Sequence, residues 1–129
     1  MARMVSTVQN IAIDCADAYE LARFWSRVTD GPLDPESEPG GEFAAVHMPD
    51  GTTLFFHTVP EPKEIKNRLH LCLRPKTSRD PEVEWLLEIG ATWVSDHRKP
   101  DGTGWAVLAD PQGNEFCVLR STADRAVTP

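Results

Sequence analysis

A chain of 129 residues, 40% hydrophobic and 26% charged, is sized for one compact domain or two half-size units sharing a core. A net charge of −7 with no basic cluster argues against nucleic acid, and no apolar run approaches the roughly 20 residues of a membrane span. Three cysteines without CxxC spacing, and no signal-peptide core at the N-terminus, fit a reducing compartment, so the expected location is cytoplasmic.

The first patterned stretch is Val8 to Asp14, where Ile11 and Ile13 alternate with polar neighbours. A period of two predicts a half-buried strand from about Thr7 to Asp14. Asp17 with Glu20 three residues on predicts a helix start. Leu21, Phe24, Trp25 and Val28 then form its apolar face, and Gly31 suits a left-handed cap. Leu33 to Gly41, with two prolines and several acids, is at best a ragged edge strand. Phe43–Met48 and Thr53–Val59 read as strands joined through the hairpin signal Asp50-Gly51. Pro60-Glu61-Pro62 ends this half, and 63–67 is a linker.

Arg68 to Pro75 opens the second half with strict alternation: Leu69, Leu71 and Leu73 on one side, His70, Cys72 and Arg74 on the other. Asp80 as N-cap and Pro81 at the first helical position start a second helix, which Gly90 closes. Val83, Leu86 and Leu87 supply its apolar face. Ala91–Ser95 is a strand, and Trp105–Ala109 pairs with Glu115–Leu119 across Asp110-Pro111-Gln112-Gly113-Asn114. The tail from Ser121 is expected to fray. Each half therefore reads β-α-β-β-β. Asn10 falls on His70 and Trp25 on Trp85 at an offset of 60, while the hairpins match at 62, pairing Phe55 with Cys117.

Two such modules resemble the vicinal oxygen chelate superfamily, which contains glyoxalase I, extradiol dioxygenases, fosfomycin-resistance transferases and bleomycin-resistance proteins. The resemblance rests on Asp17 followed by Phe24-Trp25, on Arg68-Leu69-His70-Leu71, on Leu87 to Ala91, and above all on Asp110-Pro111-Gln112-Gly113-Asn114-Glu115-Phe116. It covers about residues 8–120. It implies an α+β fold in which the two modules, 7–62 and 67–120, curl their sheets into one cup with the helices outside, followed by a tail at 121–129. It also implies a homodimer. In metal-dependent members four side chains, usually His, Glu, His and Glu, hold a divalent ion in the cup. Carried over, those places fall on Asn10, Phe55, His70 and Cys117. A shift of two in the fourth strand would put His57 in Phe55's place.

Phe55 cannot ligate and Asn10 is a weak neutral donor, so no cofactor is expected. A divalent metal, if one binds, would use His70, His57 and Cys117. His70 is the candidate catalytic residue, as a proton carrier, although ligand contact or a structural role is the simpler reading. Cys72 and Cys117 share its side of the strands, and either can be a small buried hydrophobe. Trp105 and Phe43 occupy equivalent places in the two hairpins, as core or as cleft wall. The acids between Asp34 and Glu42 read first as a solvated loop, and alternatively as a rim that favours a cationic ligand. The leading expectation is a metal-independent small-molecule binding protein whose pocket is lined by Asn10, Phe55, His57, His70, Cys72, Trp105 and Cys117. The competing one is a metal-assisted lyase, isomerase or dioxygenase.

Overall fold

The computed structural model describes residues 3–121. The fold is α+β: the described residues divide after Pro62 into two compact units, each carrying, among those residues, one helix and one small mixed sheet. Among the described residues no helix is long and apolar enough to cross a membrane.

In the first unit β1 (Asn10–Cys15) is followed by α1 (Ala18–Thr29), β2 (Phe43–His47) and β3 (Thr53–Thr58). The sheet order is β1-β3-β2, with β3 parallel to β1 and antiparallel to β2. Ala12 and Ala45 both register with Phe55, so alternation places Asn10, Thr53, Phe55, His57, Phe43 and His47 on one face. The opposite face carries Leu54, Phe56, Ala44 and Val46, all buried beneath α1. The helix presents Ala18, Leu21, Ala22 and Trp25 to them at helical spacing.

Asp17 caps α1 as expected, its Oδ1 accepting from the Glu20 amide at 3.1 Å. The left-handed residue at the other end is Asp30 (φ 59°), not Gly31. Gly31 is required for a different reason: a Cβ there would lie 2.6 Å from the His47 carbonyl oxygen. The ragged edge strand shrinks to a single bridge, Leu33 with Val46. Its prolines and glycines leave too few amides in line to extend the ladder.

The second unit runs β4 (Leu71–Leu73), α2 (Arg79–Glu88), β5 (Thr92–Asp96), β6 (Ala106–Ala109) and β7 (Glu115–Val118). Its sheet order is β4-β7-β6-β5, with β4 parallel to β7 and the other pairs antiparallel. The strand expected from Arg68 starts only at Leu71, and Leu69 is exposed. The reason is its partner, since β7 offers β4 only the three register pairs from Leu71–Phe116 to Leu73–Val118. The helix starts two residues earlier than expected, with Ser78 rather than Asp80 as N-cap. Asp80 is held elsewhere, its Oδ1 lying 3.0 Å from Arg79 Nε and 3.1 Å from Arg98 Nη1. Pro81 is tolerated inside the first turn, where its missing N–H has no intrahelical partner.

Asp110 folds the β6–β7 turn. Its buried carboxylate accepts from the amides of Gln112 and Asn114, both at 3.0 Å, and Gly113 takes a left-handed φ of 90°. Ser121, expected to begin a fraying tail, is fully buried, and 122–129 lie outside the described residues.

The linker is tied down at Glu115. That carboxylate accepts from Lys63 Nζ at 2.7 Å and from the Asn67 amide at 3.0 Å. Burial raises its pKa, but these two donors outweigh burial and hold it below the ordinary 4.5. A carboxyl depressed on folding contributes stability that is complete above its unfolded value and is lost as pH falls through the folded one. Acid titration should therefore destabilise the second unit below about pH 4.5, and Glu115→Gln should flatten that limb. Identical acid limbs for the two proteins, followed by hydrogen exchange at residues 63–67, would contradict it.

Candidate functional site

On the open face of the first unit's sheet lies a cavity of about 470 Å³. Asn10, Thr53, Phe55, Phe43 and His47 supply the sheet side, and the loop from Asp34 to Glu42 supplies the rim. The sequence leaves two readings of the Phe43 strand, and the register decides between them. Phe43 opposes His57, is half exposed and stands on the cavity side. Its ring stacks on His57 at 4.6 Å between centroids and tilts against Phe55 at 5.3 Å. Three rings thus form a continuous row along β2 and β3.

The acids of the 34–42 loop rim this cavity: Asp34, Glu36, Glu38 and Glu42 all line it. His47 fastens the loop to the sheet. Its Nε2 donates to Asp34 Oδ2 at 2.7 Å, and its Nδ1 shares a hydrogen bond with Thr53 Oγ1 at 3.1 Å. The His47 hydrogen bond, helped by the Glu36 amide, holds the Asp34 carboxyl below its ordinary value. At the far end of the ring row, His57 Nε2 lies 3.3 Å from Glu42 Oε1 and Nδ1 lies 3.9 Å from Asp14 Oδ1. The sequence singles out Asp34 only as one acid of a possible rim and does not single out His47, because nothing local marks two residues 13 apart as partners.

The second unit gathers His70, Cys72 and Cys117. Cys72 and Cys117 are register partners across β4 and β7, and Cys117 Sγ lies 3.8 Å from His70 Nδ1. Burial, and then the neighbouring Cys72 sulfur, push the Cys117 thiol above its ordinary pKa. A protonated thiol is a poor nucleophile. Trp105 shares the strand face but not the cluster. It stacks on His97 at 4.9 Å and lines a separate cavity of about 470 Å³ with Arg74, Lys99 and Arg120. Arg74 donates to the Arg120 carbonyl at 2.7 Å.

Of the four positions the resemblance assigns to metal ligands, Phe55 has no lone pair and its ring belongs to the aromatic row. Asn10 is a neutral amide and Cys117 a thiol. This donor set does not fit a carboxylate–imidazole centre for a hard divalent ion.

No curated protein matches the chain. Solved structures do, at low identity, and they share its fold. A glyoxalase-related enzyme from Fulvimarina pelagi is 20% identical with a TM-score of 0.67, covering 89% of this chain and 88% of that one. A glyoxalase/bleomycin resistance protein/dioxygenase family enzyme from Burkholderia phytofirmans is 19% identical (TM-score 0.65, covering 88% and 97%). The fosfomycin resistance protein FosX from Listeria monocytogenes, complexed with Mn(II), is 12% identical (TM-score 0.67, covering 98% and 100%). The sequence pattern of the glyoxalase-like domain matches residues 10–119, and with the repeated fold it settles the kinship: the chain belongs to the glyoxalase-like domain family, within the vicinal oxygen chelate superfamily.

Proposed function

We propose that the protein binds a small aromatic molecule bearing a positive charge, in the cavity of the first unit and without a metal. The observation that carries this reading is the meeting of an aromatic row with an acidic rim in one hollow of about 470 Å³. Phe55 and Phe43 offer ring faces for stacking, and cations are drawn to ring faces and carboxylates alike. Asn10 adds one amide able to donate and accept. The role read for this hollow is binding and sequestration. The metal-assisted alternative gains no support from Asn10 or Phe55, the two carried-over positions on this sheet.

A calorimetric or thermal-shift series with benzamidine and aminoquinolines, set against neutral and anionic analogues of the same size, tests the reading. Cationic probes should bind, and Phe55→Ala should weaken them by about 1–3 kcal/mol. Combined Glu36→Gln, Glu38→Gln and Glu42→Gln should erase the preference for the cation and reduce the salt dependence. Equal binding of neutral and cationic analogues, or unchanged affinity in Phe55→Ala, would rule it out.

A further inference from the structure

The second unit holds a donor set unlike the one the superfamily's metal centres use. We infer that His70, Cys72 and Cys117 form a binding site for a thiophilic cation of the Zn(II) or Cu(I) class. All three donors come from a single module and none is a carboxylate; His70 and Cys117 stand at two of the carried-over positions, and Cys72, which stands at none of them, supplies the third donor. The three ligand atoms lie within 4.8 Å of one another, and the Nδ1–Sγ pair of His70 and Cys117 is at 3.8 Å. Zn–S bonds of about 2.3 Å and Zn–N bonds of about 2.0 Å set neighbouring donors roughly 3.5–4 Å apart, so binding needs only a small contraction.

The backbone does the positioning. Cys72 and Cys117 are paired in the β4–β7 ladder, which sets their side chains side by side. His70 precedes Cys72 by two residues and so projects from the same face. Two thiols and one imidazole select soft or borderline cations over Mg(II) or Mn(II), and three protein ligands leave one tetrahedral position open. Burial and the second sulfur hold Cys117 protonated in the metal-free protein, against a weaker opposing pull from Lys66. A coordinated cation reverses that balance, because it deprotonates the thiols it binds and cancels the repulsion between two thiolates.

The test is an anaerobic Co(II) titration of the full chain, stripped of metal and kept reduced with a phosphine. One equivalent should give sulfur-to-cobalt charge-transfer absorption in the near ultraviolet, and Zn(II) should abolish it by displacement. Mn(II) should not compete. Cys72→Ser changes an exposed thiol and should keep the fold, as circular dichroism would verify, while weakening the site at least tenfold. Cys117→Ser should remove a second share of the charge-transfer intensity, and His70→Ala should weaken binding with both sulfur bands retained. Absence of charge-transfer absorption, effective competition by Mn(II), or unchanged affinity in Cys72→Ser would each overturn the assignment.

Discussion

Trp25→Ala should lower the unfolding free energy by about 3–5 kcal/mol, the usual cost of emptying a buried indole's place. Trp25 is 2% exposed and sits in the stripe of α1 that covers Leu54 and Phe56. Its ring meets Phe24 edge-on, with centroids 5.4 Å apart and planes at 87°. The truncation therefore loses transfer energy, packing on the sheet and an aromatic pair together. Trp25→Phe should recover roughly half, since it restores apolar volume without filling the site. Urea denaturation followed by far-ultraviolet circular dichroism measures both. A loss under about 1 kcal/mol for the alanine variant would mean that α1 does not rest on the sheet as described.

Arg79→Met should be the second severe change, costing about 3 kcal/mol although it keeps the length and apolar stem of the side chain. Arg79 is only 4% exposed. Its Nη1 donates to the carbonyls of Gly102, Thr103 and Gly104 at 3.3, 3.1 and 3.0 Å, and its Nε pairs with Asp80. Removing the guanidinium strands three acceptors at once, and these hold the loop that delivers Trp105 to β6. Hydrogen exchange at residues 97–105 should quicken well beyond that at β1 and β3. Arg79→Lys should restore less than half of the lost stability, because an ammonium is compact and cannot span the fork. Full rescue by lysine would show that charge alone matters there.

These two residues also mark what the chain reveals by inspection and what it hides. Trp25 was legible because helical spacing is local, and so was Asp17, whose cap partner is three residues away. The internal repeat was legible too, and the registers repeat with it: Ala12 opposes Phe55 as Cys72 opposes Cys117. The Asp110 turn could be read from its own five residues. Arg79 could not, since its acceptors lie 23 to 25 positions on and a lone arginine before a helix suggests only solvent. The acids of the 34–42 loop were ambiguous for the same reason. Whether they are solvated or form a wall depends on His47 reaching Asp34 across the chain. The length of β4 was misjudged because alternation reports which side a residue faces, whereas ladder length depends on the partner.

One property of both sheets bears on how the chain is made. In each unit the last strand to be synthesised is an inner one: β3 lies between β1 and β2, and β7 between β4 and β6. The first strand of each unit must wait for a parallel partner more than 40 residues downstream, Asn10 for Thr53 and Leu71 for Phe116. Until that partner leaves the ribosome, the growing chain carries strands with unsatisfied edges, and in the first half also an amphipathic helix with no sheet to cover. Closing so long a loop is slow compared with forming the helix or a hairpin. The window in which a nascent chain is vulnerable to aggregation or proteolysis is thus set by strand order. It opens once in each half of the gene, and it closes only when that half's final strand has emerged.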